Sequence, residues 1–337
     1  MKRLAQFHAR HRRLAGALAV TALGSGAVAL SLAVASAPAL ASPSAPSGPH
    51  YTFKTINNAD DPTFNQLLGI NDHGKIAGYF GSGAQGHPNK GYTLLPPYRQ
   101  VSYRNQNFPG SKQTQVTGLN NSGIQVGFYS TMNRADLADN NFGFFSLNGR
   151  HFHKVNFPTN HPASPPVDQL LGVNDAGMAV GFFVDSSGNS HGYLYDIHTN
   201  RYFSISPSVA GLTSVAATGI NDPGSVVGFF TDSKGHVRGF FVRKRAPHLF
   251  ILNVPGSSAT TPFGVNKFGE VVGAYTVGTG NSATTFGFTW NRGHGFVTIS
   301  DPLGVGTTLV NGVNSAGELV GFYVGKHGNT NGFLARP

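Results

Sequence analysis

Six times along this chain, three glycines and an asparagine recur in one fixed order, Gly-x-Asn-x-x-Gly-x-x-x-Gly. The first copy runs from Gly69 through Asn71 and Gly74 to Gly78, and the others are centred on Asn120, Asn174, Asn221, Asn266 and Asn314. Successive asparagines stand 49, 54, 47, 45 and 48 residues apart. Repeats of that length are supersecondary units, each too small to bury its own apolar face, so the copies must stack on one another.

The fourth copy shows what one unit contains. Thr218 to Asn221 ends a short strand, and Asp222 to Gly224 makes a turn. Ser225 to Phe230 alternates small and large apolar residues, Arg238 to Arg243 forms a third strand, and Leu249 to Val254 a fourth. β-Branched and aromatic runs punctuated by Gly, Asn, Asp and Pro, without helical periodicity, read as β throughout. Asn can bond its own backbone to start the tight turn, and the Gly three residues on accepts the positive φ that ends it.

Third strands recur as Gly91-Tyr92, Gly143-Phe144, Gly192-Tyr193, Gly239-Phe240, Gly287-Phe288 and Gly332-Phe333. Fourth strands are expected at 98–103, 152–157, 202–205, 249–254 and 296–299, which leaves the last unit without one. Tyr51 to Ile56, ahead of the first motif, has the same aromatic character. A chain that begins with the strand its last unit lacks is suited to ring closure, which hides sheet edges. The expected fold is an all-β, six-bladed β-propeller of four short antiparallel strands per blade, over residues 51–337. A parallel β-helix has shorter repeats, and two small sandwiches do not explain the complementary ends.

These Gly-x-Asn-x-x-Gly cores, together with His191-Gly192-Tyr193, resemble the secreted proteins with the so-called HAF repeat, described as probable extracellular repeat proteins. The triplet here has Gly where the family's name has Ala, and His in its first position only in the third unit. The resemblance covers nearly all of residues 51–337. It implies a propeller-like fold and secretion, and it carries over no catalytic residue.

The N-terminus agrees with export. Lys2, Arg3, Arg10, Arg12 and Arg13 precede an Ala/Leu/Val/Gly run over 14–35, and Ala39-Leu40-Ala41 follows as a small-x-small site. This pattern reads as a secretory signal peptide over 1–41, with a Pro/Ser/Ala linker over 42–50. Cleavage removes five basic residues, so the formal charge of +10 falls by five to +5. The charges that remain are scattered, apart from Arg243-Lys244-Arg245 in a turn, and form no basic stripe interleaved with aromatics. Nucleic acid is therefore not an expected partner, nor is a membrane once the leader has gone. Cysteine is absent, which excludes disulfides, thiol nucleophiles and thiolate metal sites.

Chemistry is expected where the repeat breaks down, on the loops opposite the Asn turns and around a central channel. Gln66, Gln115 and Gln169 stand in one register just before the first strands of three units, with Asn65 and Asp168 beside two of them. They are candidates for hydrogen-bonding a sugar or peptide, or for lining a wet channel. His161, His191 and His236 fall in or beside the same loops, as general bases or as surface histidines. Glu270 and Glu318 are expected on exposed hairpin positions of different units, too far apart for a glycosidase pair. Asp72, Asp175 and Asp222 read as turn residues, because Lys267 at the equivalent position is incompatible with a recurrent calcium site. His151 and His153 share a strand face without a third zinc ligand, and Trp290 reads as core between units. No cofactor or metal is implied. A secreted, monomeric binding module for a glycan, cell-wall polymer or protein is the favoured expectation, with an extracellular lyase or hydrolase using Asp168 and His161 as the alternative.

Overall fold

The computed structural model describes residues 50–84, 86–133, 139–244 and 249–337. The leader over 1–41 and the linker up to residue 49 lie outside these residues, as does Arg245 of the basic triplet.

The fold is all-β and propeller-like. Among the described residues the only helical pieces are two 3₁₀ turns, Gln100–Ser102 and Gly280–Ser282. Each repeat forms an antiparallel run of four strands in simple up-and-down order. The first strands are Asn65–Ile70, Gln113–Leu119, Asp168–Val173, Leu212–Ile220, Ala259–Val265 and Thr308–Val313. Units four and five are joined into one eight-stranded sheet by a parallel contact of Val237 with Ala259. Similar parallel bridges join Asn141 to Val167, Thr285 to Thr307 and Thr330 to Phe64. In the sixth unit the fourth strand is Thr52–Thr55, which pairs antiparallel with Thr330–Arg336.

In unit one the fourth strand is Tyr103–Asn105 rather than 98–103. Pro96 and Pro97 lack the N–H groups a ladder needs, and Tyr98 has φ 63°, in the left-handed region. The Tyr98 hydroxyl instead donates to Gly74 O at 2.8 Å, bracing the neighbouring Asn turn.

The motif residues have separate mechanical tasks. Asn71 Oδ1 accepts from its own turn, from His73 N at 3.1 Å and Lys75 N at 2.9 Å. Its Nδ2 donates out of the unit, to Asn120 O. The same donation runs from Asn120 to Asn174, Asn174 to Asn221, Asn221 to Asn266, Asn266 to Asn314, and Asn314 back to Asn71. The last glycine of the motif makes room for the third-strand aromatic. A Cβ on Gly78, Gly127, Gly228, Gly273 or Gly321 would fall 2.7–2.9 Å from an atom of Tyr92, Phe144, Phe240, Phe288 or Phe333. Those aromatics are fully buried.

Apolar side chains fill most of the seams between units. Leu252 of the fourth unit clusters with Val271 and Trp290 of the fifth, and Ile299 of the fifth with Leu319 and Ala335 of the sixth. Ile56, whose strand belongs to the sixth unit, clusters with Ile76 and Leu94 of the first. Trp290 is therefore core between units, as its place in the third strand implies.

Candidate functional site

The first strands converge on an axial cavity of about 100 Å³, lined by three residues from each unit. At its centre are Gly69, Gly118, Gly172, Gly219, Gly264 and Gly312. A Cβ on any of them would lie 3.1–3.3 Å from the Cα of the corresponding glycine in the next unit, and Gly312 meets Gly69. Backbones touch here, so only glycine fits. Every first strand also carries a register shift just before this glycine, for instance between Leu67 and Gly69. Such a bulge re-aims one side chain. The bulged residues Leu68, Thr117, Leu171, Thr218, Phe263 and Asn311 all line the cavity, and they alternate apolar and polar around it. The polar members tie forward: Thr117 Oγ1 to Leu170 O, Thr218 Oγ1 to Pro262 O and Asn311 Nδ2 to Leu67 O, at 2.7–2.9 Å. A volume of about 100 Å³ holds several water molecules and falls well short of the roughly 300 Å³ of an ordinary ligand pocket.

The residues expected just before the first strands lie within them and are buried. In units one and three the residue just ahead of the strand also bridges to the preceding unit, Phe64 to Thr330 and Val167 to Asn141. Asn65, Gln66, Asp168 and Gln169 are 0–4% exposed and Gln115 is 5% exposed. Gln115 Nε2 donates to Asn89 Oδ1 and Gln169 Nε2 to Asn141 Oδ1, both at 2.9 Å and both across a seam. Asn65 and Asp168 share another task. Six residues before the motif Asn, an acceptor takes the N–H of the incoming connection: Asn58 N to Asn65, Phe108 N to Thr114, Phe157 N to Asp168, Val254 N to Thr260 and Asp301 N to Thr308.

Asp168 is the ionisable member of that series. Burial pushes its pKa up to about 7, although the Tyr193 hydroxyl and Phe157 N–H, both at 2.6 Å, favour the ionised form. His161 is exposed, and its backbone carbonyl accepts from Ser186 N. The structure therefore places one member of the expected acid and base pair inside the protein and the other on its surface.

Glu270 and Glu318 are half-buried rather than exposed. They fold back onto the motif asparagines, accepting from Asn266 Nδ2 at 3.1 Å and Asn314 Nδ2 at 2.8 Å. The turn aspartates also act between units. Asn121 N donates to Asp175, Asp175 N to Asp222 and Ser315 N to Asp72.

Away from the Asn turns, three histidines are held by aspartates. His87 Nδ1 lies 3.0 Å from Asp61 Oδ2, His191 Nε2 2.8 Å from Asp185 Oδ2, and His236 Nδ1 2.9 Å from Asp232 Oδ2. The three histidines sit where the second strand of a unit passes to the third, in units one, three and four; Asp185 and Asp232 lie in or beside the same loops, whereas Asp61 comes from the connection that leads into the first strand of unit one. The imidazoles are about half exposed while their carboxylates are mostly covered. Burial would raise Asp61 and Asp185, but hydrogen bonds outweigh it and hold both below the usual carboxylate range. Asp232, bonded by His236 N–H and then by the ring, is lowered to about 2. Asp232 and His236 are four residues apart in one polar loop, a pairing signal present in the sequence. Asp61 and His87 are separated by 26 residues, and no local pattern joins them. Among the described residues, no group of three His, Cys, Asp or Glu is placed to hold a metal ion.

No family model and no curated protein matches the chain. Among solved structures it is similar to a streptogramin B lyase, at 10% identity over 85% of this chain and 98% of that one, with a TM-score of 0.45. TolB from Acinetobacter baumannii is 12% identical over 77% of this chain and 63% of its own, with a TM-score of 0.48. The Aleuria aurantia lectin is 9% identical over 81% and 91%, with a TM-score of 0.47.

Proposed function

We propose that this chain is a secreted, monomeric six-bladed β-propeller of the HAF-repeat kind, and that it binds a glycan, cell-wall polymer or protein without turnover. The last-to-first contacts that support the ring are Asn314 with Asn71, Gly312 with Gly69, and Thr330 with Phe64. The leader over 1–41 sends the chain out of the cell, and N-terminal sequencing of exported protein is expected to begin at Ser42.

The observation that carries the binding reading is the set of three His–Asp pairs at one end of the strands. An imidazole fixed by a covered carboxylate presents its second ring nitrogen to solvent in a set direction. Binding then loses little side-chain freedom. The axis has no room for a ligand of this class, so the ligand lies across the loops.

The test is retention of the exported chain on a glycan array and on purified cell wall, beside a variant combining His87→Ala, His191→Ala and His236→Ala. Retention by the native chain and loss in the variant is the expected result. Absence of native retention on both removes the binding reading.

A lyase or hydrolase is the alternative: the raised pKa of Asp168 suits proton transfer, but its carboxyl is buried and already bonded to Tyr193 and Phe157, so this reading ranks second. Release of unsaturated or newly reducing ends from the retained polymer, lost in Asp168→Asn, is its signature.

A further inference from the structure

Each seam between units includes one layer of three equivalent positions. One is the residue at the end of a unit's fourth strand that faces the third-strand glycine; the other two are a cross-strand pair in the second and third strands of the next. At four seams these are Ile56, Ile76 and Leu94; Val155, Ala179 and Tyr195; Leu252, Val271 and Trp290; and Ile299, Leu319 and Ala335, each set within a single apolar cluster. Between units three and four they are Ile205, Val226 and Val242, also apolar.

Between units one and two, all three positions are polar. Gln106 donates its N–H to Gly91 O, as Ile56 does to Gly332 O. Gln125 pairs with Ser146 as Ile76 pairs with Leu94. Gln125 and Ser146 are 0% exposed and Gln106 is 8% exposed. The Gln106 side chain reaches into unit two, where its Oε1 would lie 1.9 Å from a Cβ placed on Gly149. Four side-chain atoms here have no protein partner: Gln106 Oε1, Gln125 Oε1, Gln125 Nε2 and Ser146 Oγ.

Three apolar positions replaced together, with four unpartnered polar atoms at one seam, do not fit a dry contact, because buried polar groups find partners in protein or water. Their chemistry selects the occupant. The set offers amide and hydroxyl donors together with carbonyl acceptors and carries no charge, so neither a cation nor an anion is matched. An occupant must both donate and accept, be neutral, and be small enough for a seam between packed sheets. We propose that the seam between units one and two is an internal hydration site, where ordered water held by Gln106, Gln125 and Ser146 replaces the apolar packing of the other seams. Buried water of this kind makes about three hydrogen bonds, which is the connectivity these atoms provide.

A crystal structure of the native chain at a resolution that defines water is the first test. At least one well-ordered water within about 3 Å of both the Gln125 amide and Ser146 Oγ is expected. A dry seam, or a Gln125 amide bonded directly to Gln106 or Ser146, overturns the proposal. Counting long-lived waters by ¹⁷O relaxation dispersion gives a second readout. The native chain is compared with the combined variant Gln106→Ile, Gln125→Ile and Ser146→Leu, which copies the seam between units six and one. Loss of at least one long-lived water supports the site, and equal counts overturn it. If the variant does not fold, the native density decides.

Discussion

Asn314 donates its side-chain amide to the backbone carbonyl of Asn71, 3.3 Å away and 243 residues earlier in the chain. It is the same bond that Asn174 makes to Asn221 at 3.0 Å within the body of the repeat. The contact between the last and first copies of the motif is thus of the same kind as the contacts within the array.

Equal mechanical importance follows. Asn174→Ala and Asn314→Ala each remove the turn acceptors and the forward amide, and each is expected to cost about 1–3 kcal/mol by chemical denaturation. In an open array Asn314 would keep its turn bonds from Ala316 N and Glu318 N and lack only the forward amide, so its substitution would cost about 1 kcal/mol less than that of Asn174. A loss at Asn314 smaller than at Asn174 by that amount would therefore sink ring closure.

The axial glycines admit no side chain. A Cβ on Gly172 would sit 3.1 Å from both Gly219 Cα and Thr218 O, so Gly172→Ala is expected to cost about 1–3 kcal/mol through forced separation of neighbouring strands. Gly293 is a matched control, since its nearest contact is a side-chain oxygen at 3.5 Å and its φ is not positive. Thermal melts should show Gly293→Ala within experimental error of the native chain.

Asp168 makes stability depend on pH in a sense opposite to that of most carboxylates. Its folded pKa is raised by burial from an ordinary value near 3.8 to about 7, so between these values the folded chain binds more protons than the unfolded one. Stability should fall as pH rises from about 4 to 7 and level off above, with a total effect of the order of a few kcal/mol. Asp168→Asn, which retains an acceptor as Asn65 does in the first unit, should flatten that slope in melts across the range. An unchanged slope would show that the burial effect is absent.

The three His–Asp pairs act in the other direction and at lower pH. Asp61, Asp185 and Asp232 have folded pKa values below the ordinary one, so the stability they contribute is present above about pH 4 and is lost as pH falls through their folded values. Because the imidazoles are half exposed, replacing all three histidines with Ala should change the melting temperature at pH 7 by only a few degrees. A collapse of the fold in this triple variant would make the pairs structural rather than available for binding.

What the sequence made legible was whatever depends on residue type at a fixed spacing. The turns at Asn71 and its equivalents, the third-strand aromatics from Tyr92 to Phe333, and the strand supplied ahead of the first motif all announce themselves by periodicity. Hidden features depend on register or on a neighbouring unit. The bulge at Leu68 is not announced by residue type, because the bulged residue is Leu, Thr, Phe or Asn depending on the unit. The same is true of the second task of Asn71, whose acceptor is a backbone carbonyl 49 residues away. The polar ring expected from Asn65, Gln66, Gln115, Asp168 and Gln169 shares a register, but a polar residue that begins a strand and one that clamps a seam look alike until the seam is visible. Glu270 and Glu318 were legible as hairpin residues, yet not as half-buried ones, since their covering comes from folding back onto Asn266 and Asn314.

The alternation of Leu68, Thr117, Leu171, Thr218, Phe263 and Asn311 around the axis gives the repeat a grammar of two words rather than one. Odd units contribute a filler and even units a tie, so each unit is interchangeable with the one two places along and mismatched with its immediate neighbour. A chimera that moves the first strand of unit two into unit four preserves every forward tie. The same strand copied into unit three sets three hydroxyls side by side and deprives the cavity of a filler. Exchange of first strands is therefore expected to be tolerated between units two places apart and not between immediate neighbours.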